Sequence, residues 1–459
     1  MKKLNIHSAY LIGIGGIGMS ALAHYMNAFD IPIYGYDRTS SSITTDLENR
    51  GISITYNDQE ESIETDFLNV EKSNVLVIYT PAIPKDQRIL KFFRDEGYKV
   101  LKRSDALALV LKEMKVLAVA GTHGKTTTSS ILAHILNESI GCNAFLGGIS
   151  TNLKSNFLLN KSSDLVVVEA DEYDRSFLKL EPFISIITSI EADHLDIYRD
   201  QADFQNTFWS FANRTANEGG IVKHDSVKFN EELNAAIVNY GASANRVENL
   251  KIDQGRFQFD MILDNDRLEG ICFHLPGEYN ALNALAASIT ANKLGVEKSE
   301  IRAALESYHG VKRRFEYIIN EPDCIYIDDY AHHPGELKSI ISAIKLLYPG
   351  KTVLGVFQPH LFSRTRDFMI QFAKELSELD QLILLDIYPA REEPIAGVSS
   401  QVLLEKVNLD KKTLCTKAQL LKQVVQSEYD IIMTLGAGDI DRCVQPLKEG
   451  ILNELSIKS

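Results

Sequence analysis

The residues most able to do chemistry are Gly121-Thr122-His123-Gly124-Lys125-Thr126-Thr127-Thr128, a glycine turn between an apolar run over 116–120 and a helical pattern over 126–137. Glycines let backbone N–H groups approach phosphate oxygens. A lysine at the helix start reaches β/γ-phosphates as a point charge, and the hydroxyl after it is placed to ligate Mg²⁺. The turn predicts ATP binding by Gly121, Thr122, His123, Gly124, Lys125, Thr126 and Thr127. It departs from the standard phosphate loop, because Val119 stands five residues before Gly124 where that loop has glycine. Glu169, in Val-Glu-Ala-Asp-Glu, and His194, in Glu-Ala-Asp-His-Leu-Asp, each follow an apolar strand, which would bring both to the strand-end crevice that holds phosphates. Together they could hold a second metal ion that shields charge on a transferring phosphoryl group. Singly, each reads as an ordinary solvated carboxylate or structural histidine.

A second glycine turn, Gly13-Ile14-Gly15-Gly16-Ile17-Gly18, also follows a strand and opens a helix, and Asp37 ends the next strand nineteen residues later. Such a turn suits a dinucleotide or a nucleotide-sugar diphosphate, and the pattern alone does not choose between them. In Gly-Glu-Tyr-Asn-Ala-Leu-Asn-Ala, Asn280 and Asn283 are three apart, hence on one face if helical. They could read an adenine edge or ribose, or cap the Ala-rich helix that follows. Towards the C-terminus come Lys312-Arg313-Arg314, then Asp328-Asp329-Tyr330-Ala331-His332-His333-Pro334, then Pro359-His360-Leu361-Phe362-Ser363-Arg364. Basic residues and histidines at successive strand ends suit a phosphorylated or carboxylate ligand.

These residues need strand ends to hold them, and the chain supplies three sets of alternating strand and helix patterns. The first has strands over 8–14, 31–36 and 75–80 and a helix over 19–29; the second has strands over 116–120, 165–168 and 184–187. The third has strands over 325–327, 353–357, 382–385 and 431–433 and a helix over 336–347. The expectation is an α/β protein of three domains, 1–110, 111–312 and 313–459, each with a largely parallel doubly wound sheet. A chain of 459 residues has room for three cores, and 45% hydrophobic with 24% charged residues is globular. A net charge of −14 argues against nucleic acid or anionic membranes as general partners. The N-terminal Met1-Lys2-Lys3 before an apolar stretch imitates a signal peptide but reads better as a strand meeting a glycine turn. No run of 18 apolar residues offers a membrane span. Five scattered cysteines without a CxxC pair fit a reducing cytoplasm.

Taken together and in order, these strings resemble the Mur ligases of peptidoglycan synthesis over essentially the whole chain, and within them the alanine-adding branch. The GTHGKTTT and DDYAHHP strings carry the resemblance to that branch. It implies a Rossmann-like N-terminal domain for the UDP-sugar, a central ATP-binding domain, and a Rossmann-like C-terminal domain that closes over ATP and the amino acid. The implied reaction joins L-alanine to the lactyl carboxylate of UDP-N-acetylmuramate through an acyl phosphate, with ATP and Mg²⁺. By matching positions, Gly15, Gly16, Ile17, Gly18, Asp37, Thr80 and Arg103 would meet the UDP-sugar. Asn280, Asn283, Arg314 and Asp329 would meet ATP. Thr126 and Glu169 would hold one Mg²⁺ and His194 a second, while His333, His360 and Arg364 would serve the acyl phosphate and the amino acid. Lys125, His194 and His333 are the implied catalytic residues.

Two departures stand out. Related ligases carry a carbamylated lysine some fifteen residues after the metal histidine, but 195–222 contains no lysine and Trp209 stands at that spacing. Some relatives have Arg after the histidine of the Pro-His pair, where this chain has Leu361. Among rival readings, a recycling ligase that attaches a murein tripeptide shares the domain plan. A nicotinamide-dependent dehydrogenase leaves Lys125-Thr126 unexplained, and a non-catalytic ATP-binding regulator would not need a third domain. A monomer or homodimer is expected.

Overall fold

The computed structural model describes residues 6–84, 86–191, 198–229, 231–253, 256–390 and 392–458. The expected ligand His194 lies outside the described residues. Three sheets organise the chain. The N-terminal sheet has the order β3-β2-β1-β4-β5, from Ser8–Ile12 (β1), Ile33–Tyr36 (β2), Ser53–Thr55 (β3), Val75–Tyr79 (β4) and Val100–Lys102 (β5), all parallel. Strand β1 is central and buried on both faces, so its residues are apolar without alternation. Ala9 and Leu11 enter one core and Tyr10 and Ile12 the other, where the Tyr10 ring meets Phe67 at 5.2 Å and Phe93 at 4.9 Å. The strand expected over 8–14 stops at Ile12 because Gly13 turns to φ +81° and gives its N–H to Tyr36.

The central sheet has ten strands: Lys115–Ala120 (β6), Asn143–Ser150 (β7), Ser155–Leu158 (β8), Leu165–Glu169 (β9), Pro182–Ile187 (β10), Gly220–His224 (β11), Ile237–Gly241 (β12), Asn245–Asp253 (β13), Arg256–Leu263 (β14) and Asp266–Phe273 (β15). Their order is β15-β14-β13-β12-β11-β10-β6-β9-β7-β8. Strands β9 and β10 flank β6 in parallel, with Val119 opposite Glu169 and Ala120 opposite Ile187. Three loops therefore leave neighbouring strands at the same carboxyl edge. The antiparallel β7–β8 pair and strands β11 to β15 were not anticipated, since segments such as Asn245–Asp253 alternate polar with apolar residues too weakly to stand out.

The first two sheets, apart from the 251–258 stretch of β13 and β14 and Phe273 at the end of β15, belong to one compact unit (1–250, 259–272, 279–309), and strands of both contribute to one core. Tyr25, on the helix Ile17–Asn27, meets Phe145 at 5.7 Å and Phe157 at 6.1 Å, and Asn156 donates to the carbonyl of Ile17 at that helix's first turn.

A second unit (251–258, 273–278, 310–459) carries the third sheet. Its strands are Glu316–Glu321 (β16), Cys324–Asp329 (β17), Val353–Phe357 (β18), Gln381–Leu384 (β19), Lys412–Leu414 (β20) and Ile431–Leu435 (β21), in the order β16-β17-β21-β18-β19-β20. Only the β16 edge is antiparallel among these described pairs, as turning back through Pro322-Asp323 requires. Tyr326, Val356, Ile383 and Ile432 fill its core. Among the described residues no helix is long and apolar enough to cross a membrane.

Candidate active site

The loop after β6 is held open by its neighbours. Gly124 caps the helix Lys125–Asn137 in the left-handed conformation, φ +81°, and a Cβ there would lie 2.5 Å from the Asn283 side-chain oxygen. Glycine is required on both counts. Asn283 thus packs directly on the phosphate loop, and Asn280 lies one turn earlier on the same helix, Glu278–Lys293; both are buried. The loop after β10 supplies further ties: the Thr188 hydroxyl donates to the His123 carbonyl, Ser189 Oγ accepts the His123 N–H at 3.1 Å, and the Thr122 hydroxyl bonds the backbone of Glu191 at 2.9 Å. Thr126 and Thr127 are buried beneath the helix's first turn.

Lys125 Nζ donates to Gly121 O at 2.7 Å and Thr122 O at 3.3 Å, and pairs with Glu172 at 2.8 Å. Burial pulls its pKa down, but Glu172, Asp171 and Glu169 outweigh that and hold the ammonium above its usual value. It is a fixed positive charge at neutral pH. Glu172, only 1% exposed, was missed by the sequence reading although it stands three residues after Glu169 in the quoted string. Glu169 ends β9 with its carboxylate against Gly147, where any Cβ would overlap it. Thr126 and Glu169 offer hard oxygen donors, which fit magnesium. Among the described residues no three His, Cys, Asp or Glu side chains gather as a ready metal site.

In the same unit, the first glycine turn opens the helix Ile17–Asn27 with Gly16 as its cap. Asp37 serves the loop itself: its carboxylate accepts the Gly15 N–H at 2.8 Å and the Arg38 N–H at 2.7 Å. Thr80 follows β4 and gives its N–H to Ile12 O at 3.3 Å. The Arg103 guanidinium packs on Gly18 and reaches Asp171 at 3.7 Å. A cavity of about 130 Å³ lies between the first glycine turn and the end of β9, lined by Gly18, Arg103, Gly147, Glu169 and Asp171. Ile17, Gly18 and Arg103 from the UDP-sugar set and Glu169 from the metal set therefore face one space, which Thr126 does not line.

In the second unit, Asp329 at the end of β17 accepts N–H bonds from Phe315 at 2.7 Å and Ala331 at 2.8 Å. Burial pushes its carboxyl up to about 6 despite Arg314 and those two amides. Arg314 lies 3.9 Å from Glu336 and over the Tyr330 ring at 5.3 Å. His333 caps the helix Pro334–Leu347 and rests on Phe368 at 4.6 Å. The His360 ring stacks on Tyr388 at 5.7 Å and meets His332 edge-on at 6.0 Å, and His360 Nδ1 lies 3.5 Å from Arg364. Burial lowers the His332 pKa against the opposing pull of Glu336, so this imidazole is neutral at pH 7. His332 is thus a site neighbour that the sequence reading passed over for the adjacent His333. Adjacent identical residues carry no signal in sequence to separate them.

Comparison with known proteins decides the family. Residues 8–115 match the Mur ligase family catalytic domain, 119–291 the Mur ligase middle domain and 313–438 the Mur ligase glutamate ligase domain. The chain belongs to the Mur ligase family. This Mur ligase is 46% identical to the UDP-N-acetylmuramate–L-alanine ligase of Cytophaga hutchinsonii, over 98% of this chain and 97% of that one. It is 44% identical to the enzyme of the same name from Christiangramia forsetii, over 99% and 100%. Among solved structures, the UDP-N-acetylmuramate-alanine ligase of Thermotoga maritima superposes with a TM-score of 0.82 at 25% identity, covering 97% of this chain and 99% of that one. A murein peptide ligase from Psychrobacter arcticus shares the fold, with a TM-score of 0.70 at 21% identity over 97% and 98%. The expected α/β class, with three parallel-rich sheets, holds for this Mur ligase.

Proposed function

We propose that this Mur ligase joins L-alanine to the lactyl carboxylate of UDP-N-acetylmuramate at the expense of ATP. The observation that carries the reading is near-full-length identity of 40–46% to relatives of that name. A carboxylate is a poor acyl electrophile. In the proposed sequence its oxygen attacks the γ-phosphorus and ADP leaves; the alanine amine then attacks the acyl carbon, loses a proton and expels phosphate. Lys125, fixed and charged at the loop mouth, stabilises negative charge on the transferring phosphoryl, and the loop amides orient it. Thr126 and Glu169 would hold magnesium, which supplies charge neutralisation when bound, with His194 as the proposed ligand of a second ion. The Gly15–Gly18 turn, with Thr80 and Arg103, is proposed to hold the UDP diphosphate, and Asp37 to shape that turn. Asn280 and Asn283 would contact the adenosine, as would Arg314 and Asp329 from the C-terminal domain. His333, His360 and Arg364 are proposed to serve the acyl phosphate and the amine. A cytoplasmic location follows from the proposed substrates.

The test is phosphate release with ATP, Mg²⁺ and UDP-N-acetylmuramate, comparing L-alanine, glycine, L-serine and a murein tripeptide. Alanine should give the fastest turnover. Faster turnover with the tripeptide would move the assignment to a recycling ligase, and no amine-dependent release would end it.

A further inference from the structure

We infer that Glu172 is a positioning residue for phosphoryl transfer, fixing the direction in which Lys125 presents its ammonium to the γ-phosphate. The inference deepens the ligase reading and rests on it. A lysine ammonium has three protons to donate. Here the acceptors are Gly121 O at 2.7 Å, the Glu172 carboxylate at 2.8–2.9 Å and Thr122 O at 3.3 Å. A phosphate oxygen must take one of these places, and the longest and weakest is that of Thr122. Glu172 and Gly121 then keep their bonds and determine where the third proton points.

The chain around Glu172 is built to hold it there. The Tyr198 hydroxyl donates to the Glu172 carbonyl at 2.6 Å. Asp174 and Arg175 both adopt left-handed backbone angles, φ 54° and 53°, which non-glycine residues keep only when their surroundings insist. Arg175 is held by Asp203 at 2.6 Å and Thr207 at 3.1 Å, and lies 5.0 Å over the Tyr198 ring. One strained turn with several independent ties thus directs a buried carboxylate into the phosphate loop.

A carboxylate beside a triphosphate also repels it, so its charge opposes nucleotide binding while its geometry serves the chemical step. The two effects separate in kinetics. In Glu172→Gln, kcat should fall tenfold or more while the KM for ATP stays level or drops. In Tyr198→Phe, which leaves every charge in place, kcat should fall several-fold with the KM for ATP unchanged. Equilibrium binding of ATP, measured by calorimetry on each variant, gives a readout independent of turnover. Wild-type kcat in Glu172→Gln overturns the inference, as does a rise in KM that parallels the fall in kcat, the pattern of general loop damage. If Glu172→Gln does not fold, Tyr198→Phe decides, and wild-type kcat there overturns the inference. A wild-type protein that binds ATP but shows no alanine-dependent phosphate release overturns the ligase reading itself, a distinct outcome.

Discussion

Two buried charges, the Lys125 ammonium paired with Glu172 and the Asp329 carboxylate in the field of Arg314, are held in different ways. In the central domain the cation is the held partner: its protons go to two carbonyls and one carboxylate, and surrounding acids keep it charged. In the C-terminal domain the carboxylate is the held partner, bonded to two backbone amides, and burial lifts its pKa to about 6. The Lys125 ammonium keeps its charge across the neutral range while burial pushes the Glu172 carboxyl upward, and the Asp329 carboxyl changes charge near pH 6. What separates them is how far surrounding charge offsets burial. Three acids surround Lys125, whereas Arg314 and two amide dipoles do not fully offset the desolvation of Asp329.

The largest effect should come from the fixed charge. Lys125→Ala is expected to lower alanine-dependent phosphate release by at least about two orders of magnitude, the scale of losing one key electrostatic stabiliser. Near wild-type turnover would mean that the comparison assigns the wrong cation. Next, kcat/KM for ATP in the wild type should fall roughly tenfold per pH unit below about pH 6, as Asp329 takes up its proton. Asp329→Asn should abolish that acid limb, and an unchanged limb would remove Asp329 from the pH response. A smaller effect is expected in Arg314→Gln, which takes away the cation opposing burial and should move the limb to higher pH. An unmoved limb would show that the backbone amides alone set the Asp329 value.

The smallest expected effect is on stability. The folded pKa of Asp329 lies above the ordinary carboxylate value near 3.8, so the folded state binds its proton more tightly than the unfolded chain does. Its favourable contribution is complete below about pH 4 and is lost as the pH rises through about 6. Relative to Asp329→Asn, the wild type should therefore lose a few degrees of Tm between pH 4 and 7. No pH-dependent difference between the two melting curves would break the contrast with Lys125.

The Gly121–Thr128 turn was legible as a strand–turn–helix junction because its pattern is local: glycine, lysine and threonine stand side by side where β6 becomes a helix. The same holds for the glycine turn at Gly13–Gly18 and for the strand cores, whose apolar runs mark Ser8–Ile12 and Val353–Phe357 almost to the residue. The sequence thus determined the α/β class, the parallel strand ends and the residue types collected there, since strand–turn–helix order and hydrophobic runs are properties of neighbours along the chain. Tertiary structure alone decided that Glu172 meets Lys125, that Asn283 lies on Gly124, and that His332 sits beside His360. It also decided that the first two domains share a core through Tyr25, Phe145 and Phe157. Each of these depends on residues far apart in sequence, or on which way one of two identical neighbours turns. Side-chain direction at a strand end is set by packing from other elements, so no local pattern encodes it.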